Sequence, residues 1–306
     1  MRGVTDVGAA AAAATRGAGA AAQGAVQGAA RQASPWLTRG ARLGYAAKGI
    51  VYVTVGLIAL QAAMGSRAAE DQRGAMRTLV EQPAGELLLG IIAVGLLAYA
   101  IWRVIAGIVD AENKGSEPKK LAVRAGMVGS GIVHAALAVS AFRLMRGAGE
   151  RGAAETSAAG QGGAGGSART VHWTARVMEM PAGRWLVGAA GLGIIGYGCY
   201  QIRRAWTADV RKHLDLTGVG QETQEWIVRL GRLGYAARGV VFAVIGAFLV
   251  RAALAYDPSQ ATGIAGALQA LEQAPWGPWI LGIVALGLIA YGLFEIVEAR
   301  YRVVRV

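Results

Sequence analysis

Seven charged or amide side chains interrupt sequence that is otherwise strongly apolar, and their spacing repeats. Lys48 and Arg238 sit in near-identical strings, Arg42-Leu43-Gly44-Tyr45-Ala46-Ala47-Lys48-Gly49 and Arg232-Leu233-Gly234-Tyr235-Ala236-Ala237-Arg238-Gly239. Arg103, Gln201 and Glu295 each stand four residues after a tyrosine (Tyr99, Tyr197 or Tyr291), and Ala106, Arg204 and Glu298 align one turn further on. A charge at the centre of a bilayer costs about 2.5–3.5 kcal/mol on insertion scales, and less near a helix end where long side chains reach the headgroups. A carboxylate at such depth calls for a basic partner. Either Glu295 pairs with Lys48, Arg238 or Arg103 in a ring of contacts, or each side chain reaches the headgroups separately. A paired ring would in turn suit a gate or a proton or ion site.

His134 is the other candidate, in mid-stretch, where the corresponding places hold Tyr52 and Phe242. The set Tyr, His, Phe describes an aromatic-sized slot filled by a neutral imidazole. A proton relay or metal ligand is the functional alternative, since ionisable groups inside membranes tend to be functional. No second ligand accompanies it, because His172 and His213 fall outside the core on opposite sides. We expect no bound metal and no cofactor.

Catalytic signatures are lacking. The chain has no HExxH, no Walker lysine, no plausible Ser–His–Asp set and no paired core carboxylates. Gly191, Gly193 and Gly196 spell GxGxxG, but that motif needs free N–H groups at a helix N-terminus after a strand. Here it lies inside an apolar helical stretch, where small residues serve close helix packing. The single cysteine, Cys199, reads as a small buried hydrophobe. No catalytic residue is expected, and the chain does not read as an enzyme.

The elements carrying these residues are plain. The chain is 54% hydrophobic and 16% charged, against about 25% charged in soluble domains. Six apolar stretches, Leu43–Met64, Leu87–Val109, Val123–Met145, Trp185–Trp206, Leu233–Tyr256 and Trp279–Ala299, are each long enough for a bilayer core, which needs roughly 20 residues. The net charge of +12 would suggest nucleic acid in a soluble protein, but its placement does not. Of the 31 Lys and Arg residues, 21 fall on the side of both termini and 10 on the other, which puts both termini in the cytoplasm. Trp36, Trp102, Trp206 and Trp226 on one side, and Trp173, Trp185, Trp276 and Trp279 on the other, read as an aromatic belt at the headgroups. Residues 1–38 form an Ala/Gly-rich cytoplasmic tail, and Gly147 to Ser167 a flexible external loop.

The stretches pair into three units, residues 39–113, 119–209 and 228–306. Each second helix follows a Pro-x-Gly lead-in: Pro83-Ala84-Gly85, Pro181-Ala182-Gly183 or Pro275-Trp276-Gly277. The units then align on Gly90, Gly188 and Gly282, on Gly95, Gly193 and Gly287, and on the three tyrosines. In the first helices Arg42, Gly44 and Gly49 match Arg124, Gly126 and Gly131 and then Arg232, Gly234 and Gly239. Apolar residues three or four apart before the first and third lead-ins predict a short helix in the interface plane. The proline is expected to begin the second spanning helix. The fold class is therefore an all-α membrane protein of six transmembrane helices in three parallel two-helix repeats, in a pseudo-threefold bundle.

The string RLGYAA[KR]G, the short-helix lead-in and the LLGIIAVGLLAYAIWR pattern resemble the bacterial membrane family known as domain of unknown function 1206. The resemblance spans about residues 40 to 303 in three tandem copies. It is weakest in the second, where Met127, Ser130 and His134 replace Tyr45, Lys48 and Tyr52. It implies a six-helix protein of the bacterial inner membrane and brings no activity, cofactor or catalytic residue. The reading that follows is a non-enzymatic structural, partner-binding or lipid-interacting protein. The alternative is a small-solute or ion channel or transporter through the centre of the repeats. Its partners would be membrane lipids and a second membrane protein, with no role for nucleic acid. Glycine-rich helices pack equally well within one chain or between copies, which leaves the oligomeric state open.

Overall fold

The structure, a computed structural model, describes residues 34–110, 117–146, 165–207, 210–211 and 214–302. The expected N-terminal tail up to residue 33, most of the Gly147–Ser167 loop, His213 and the side chain of Trp36 lie outside the described residues. Among the described residues, six helices are long and apolar enough to span a membrane. They are α1 (Ser34–Ala63), α3 (Gly85–Val109), α4 (Pro118–Met145), α6 (Gly183–Trp206), α7 (Gln221–Ala255) and α9 (Gly277–Tyr301). Three shorter helices precede the second helix of each pair: α2 (Gln72–Val80), α5 (Gly165–Met178) and α8 (Ile264–Glu272). Residues 165–167, expected in the loop, already belong to α5.

The Pro-x-Gly lead-in works differently from expectation. The spanning helices start at the glycine, not the proline. In all three, the residue between them adopts a left-handed backbone, with φ of 59° at Ala84, 60° at Ala182 and 62° at Trp276. The glycine N–H then bonds the carbonyl three residues back (Gln82, Met180 or Ala274), each at 2.8 Å. Proline at the second place of such a turn presets its φ. The glycine is required because a Cβ would run into the end of the preceding short helix: Leu79 and Val80, Val177, or Leu271 and Glu272. The turn reverses the chain in three residues and presses each short helix onto the start of the next spanning one. These short helices are thus anchored inward as well as amphipathic, since Met76, Thr174 and Leu268 are buried.

The spanning helices pack in the order α4, α3, α1, α9, α7, α6, each against its neighbours in that series, whereas α4 and α6 have no comparable contact with each other. Burial follows that order. In their most apolar windows α1 and α9 are 61% and 56% buried, whereas α4 and α6 are each 22% buried. Backbones approach closely at small residues. A Cβ on Gly49, Gly131 or Gly239 would stand 2.6, 2.9 or 2.7 Å from the carbonyl oxygen of Gly292, Ala100 or Gly198. These contacts join α1 to α9, α4 to α3 and α7 to α6. Two further crossings, between α1 and α3 and between α7 and α9, bring Gly44 against Tyr99 and Gly234 against Tyr291. A Cβ on Gly126 of α4 or Gly193 of α6, at the corresponding places, would meet nothing within 4 Å. The packing expected for Gly193 therefore holds for its counterparts Gly95 and Gly287, which meet Ala47 and Ala237, and not for Gly193 itself.

The open side also corrects Cys199, which is exposed because α6 has a partner on one flank only. Trp102 departs in the other direction. It is buried beside Tyr45, Tyr99 and Met127 where α1, α3 and α4 meet, so it packs the interior and does not join the belt. Trp173, Trp185, Trp206, Trp226, Trp276 and Trp279 are exposed.

Replacing Gly277 by alanine should lower stability by about 1–3 kcal/mol, the scale of overpacking. Thermal unfolding in detergent measures this, and alanine at Gly126, whose Cβ position is open, should leave the midpoint within error.

Candidate functional site

The polar layer forms where the glycine crossings bring helices together near the end holding the C-terminus of α9. Lys48 directly precedes Gly49 on α1, and Glu295 lies three residues past Gly292 on α9. The Gly49–Gly292 approach sets them face to face, and Lys48 Nζ meets Glu295 Oε1 at 2.7 Å. Lys48 also donates to the Tyr291 hydroxyl at 2.8 Å. Lys48 is 6% exposed and Glu295 1%, so these two side chains meet in the interior and do not reach separately to the headgroups. Arg238 on α7 turns to the same tyrosine, donating from Nη1 to the Tyr291 hydroxyl. Its guanidinium stands 4.4 Å from the Tyr291 ring centroid, 5.4 Å from that of Tyr52 and 5.1 Å from that of Phe242. Of the three basic partners available to Glu295 in the sequence, Lys48 makes the contact.

A second tier lies one turn nearer the helix ends. Arg302 donates to Glu298 at 2.7 Å, with both side chains buried. Its guanidinium also lies 4.8 Å from the Tyr45 ring centroid. Arg204 on α6 stacks 4.2 Å from the Tyr235 ring. Arg103 is half-buried on α3. Aromatic faces attract cations through the ring quadrupole, more strongly where water is excluded. The tyrosines thus partly offset a layer in which the cations Lys48, Arg103, Arg204, Arg238 and Arg302 outnumber the carboxylates Glu295 and Glu298.

The remaining candidates fall around this layer. His134 Nδ1 lies 2.7 Å from the Ser130 carbonyl in its own helix, and its ring packs 4.7 Å from Tyr99. Tyr52 meets Tyr291 and Phe242 meets Tyr197 in the same manner, at 4.8 and 5.3 Å. The aromatic slot inferred from Tyr52, His134 and Phe242 is therefore a physical one, each member facing a tyrosine on a neighbouring helix. Gln201 is buried on α6. Among the described residues, buried atoms without a hydrogen-bond partner include the donors Gln201 Nε2, Arg238 Nε and Arg204 Nη2 and the acceptor Glu295 Oε2. No three of His, Cys, Asp and Glu converge among the described residues.

Sequence reasoning passed over three contributors. Arg302 lies past the last apolar stretch, although its place four residues after Glu298 is a helical pairing signal. Arg124 and Arg232 recur in register with no role assigned. Each caps the end of a neighbouring helix: Arg124 donates to Gly107 and Ile108 carbonyls at 2.8 and 2.6 Å, and Arg232 to the Ala205 carbonyl at 2.9 Å. Basic side chains satisfy the last carbonyls of a helix and suit its dipole.

The pattern of the family described as Domain of Unknown Function (DUF1206) matches residues 43–110, 156–208 and 233–302. The chain belongs to this family. Those three segments hold every charged member of the polar layer together with the glycine pairs that set it, while His134 falls between the first and second. A curated relative, the uncharacterized protein YxxB of Bacillus subtilis (strain 168), is 36% identical over 272 residues, covering 89% of this chain and 94% of the relative. No solved structure matches.

Removing one partner of the Lys48–Glu295 pair strands a buried charge. Lys48→Met and Glu295→Gln should each lower stability by about 3–5 kcal/mol, and the double variant by much less than their sum. A double-mutant cycle on unfolding midpoints measures the coupling; additive losses would show that the contact carries no energy.

Proposed function

We propose that this DUF1206 protein is a non-enzymatic, lipid-interacting protein of the bacterial inner membrane, with both termini cytoplasmic. Its six helices are read as three parallel two-helix units around a pseudo-threefold axis, open between the two halves of the middle unit. Support for that reading comes from contacts recurring at aligned positions: Gly49, Gly131 and Gly239 at three helix crossings, and Tyr52, His134 and Phe242 at three aromatic pairs. The single observation that carries the lipid-facing reading is the opening. Helices α1 and α3, and α7 and α9, close against each other, whereas on α4 and α6 a Cβ at Gly126 or Gly193 would meet nothing within 4 Å. Tyr197 on that side is 46% exposed, against 3% for Tyr99 and 1% for Tyr291. The interior is thus reached sideways, from the acyl-chain region, where phospholipid is the available molecule.

Transport through the centre finds less support. Thr54, His134 and Ser140, polar residues within the helices, each bond the carbonyl four residues earlier in their own helix. Tyr45, Tyr99, Tyr291 and Phe294 fill the interior beside the charged layer.

Native mass spectrometry of protein released gently from its own membranes should show phospholipid retained through delipidating collision energies. Liposomes carrying the protein should pass protons, potassium and small solutes no faster than empty ones. Protein-dependent flux that falls in Glu295→Gln or His134→Phe would overturn the reading in favour of a channel or transporter.

A further inference from the structure

Two helix crossings share one geometry and differ in charge. Where α1 meets α9, Lys48 precedes Gly49 and Glu295 follows Gly292 by three residues, and the two charges pair at 2.7 Å. Where α7 meets α6, Arg238 precedes Gly239 and Gln201 follows Gly198 by three, with Gly239 against the Gly198 carbonyl. The cation is kept and its carboxylate has become an amide. Helix α6 contains no acidic residue at all. Glu295 Oε1 is bonded to Lys48 and Glu298 Oε1 to Arg302, while Glu295 Oε2, on α9, has no hydrogen-bond partner. On α6 and α7, among the described residues, the buried side-chain atoms left without a hydrogen-bond partner are Arg238 Nε, Gln201 Nε2 and, one turn on, Arg204 Nη2. Every one is an N–H donor, and Gln201 is 1% exposed. Buried donors without acceptors are costly, and more so when they carry charge. The chemistry they lack is an acceptor with negative charge.

The opening described above leads to this place. Tyr197 lies one turn before Gln201 on α6, is exposed on the open side, and packs 5.3 Å from the Phe242 ring, which itself lies 5.1 Å from the Arg238 guanidinium. A Cβ on Gly193 or Gly196, just before Tyr197 on α6, would meet nothing within 4 Å. A chain lying between α4 and α6 thus passes small residues and then reaches the donors. Guanidinium groups bind phosphate oxygens with strong, charge-assisted hydrogen bonds. We infer that Arg238, Gln201 and Arg204 form an oxyanion subsite that takes the phosphate of an anionic phospholipid entering between α4 and α6. This rests on the lipid-interacting reading and adds the residues and the headgroup class.

The test is thermal unfolding of the purified full chain in a non-ionic detergent, with phosphatidylglycerol, phosphatidylcholine of the same acyl chains, or inorganic phosphate added. Phosphatidylglycerol should raise the midpoint by on the order of 5 °C more than phosphatidylcholine at saturation, and inorganic phosphate should not. Gln201→Glu supplies the missing carboxylate from the chain itself. It should unfold at or above the wild-type midpoint and lose the phosphatidylglycerol increment. Arg204→Gln, at a less buried place, should reduce that increment and serves if Gln201→Glu does not fold. An increment that survives in these variants, or equal rises with the two lipids, overturns the subsite. An equal rise with inorganic phosphate that Gln201→Glu abolishes keeps the oxyanion subsite and overturns lipid as its source. Native mass spectrometry separates the two levels. Phospholipid held equally by wild type and Gln201→Glu sinks the subsite alone, whereas a wild type that holds none sinks the lipid-interacting reading with it.

Discussion

Backbone-to-backbone approach of helices at small residues is the constraint on which the rest of this structure depends. Apolar surfaces gain little from meeting each other in lipid, so helix association there rests on close packing and on polar contacts between helices. Gly49 against Gly292 and Gly239 against Gly198 supply the first of these. They also bring Lys48 within reach of Glu295, and Tyr52 and Phe242 against Tyr291 and Tyr197. With a larger residue at these crossings the helices would stand apart, and the polar contacts would lengthen beyond hydrogen-bonding distance. The polar layer is therefore a consequence of the small-residue pattern.

That layer is excess cation in a setting that tolerates little unpaired charge. The protein meets the excess in three ways. Lys48 and Arg302 take carboxylates, on Glu295 and Glu298. Arg204 and Arg238 lie against tyrosine rings. Arg124 and Arg232, nearer the surface, spend their charge on the terminal carbonyls of adjacent helices. Tyr291 is the shared element. Its hydroxyl accepts from both Lys48 and Arg238, linking α1, α7 and α9 through one side chain.

At the opposite end the work is done by backbone geometry. The left-handed residue and the glycine after each proline let a short helix fold back onto the bundle within a three-residue turn. Met76, Thr174 and Leu268 are buried as a result. A non-glycine residue in the left-handed region costs roughly 1–2 kcal/mol, which the burial behind each turn offsets.

Much of this was open to reading from residue types alone. Length and apolarity determined six spanning helices, since roughly 20 continuous apolar residues suit a helix that satisfies its own hydrogen bonds in lipid, whereas a barrel strand takes about 10 residues of alternating polarity. Recurring glycines and tyrosines marked the crossing points, and the costs of buried charge predicted that Glu295 needs a cation. Sequence periodicity could not choose among Lys48, Arg238 and Arg103, because the choice depends on which helices become neighbours across separate units. Nor could it foresee that Gly126 and Gly193, identical in type to their counterparts, would be left facing nothing, or that Trp102 would turn inward while Cys199 turned out. A residue's type states what contact it can make. Whether the contact exists is decided by the helix opposite, and only the tertiary packing of α4 and α6 away from each other determines that.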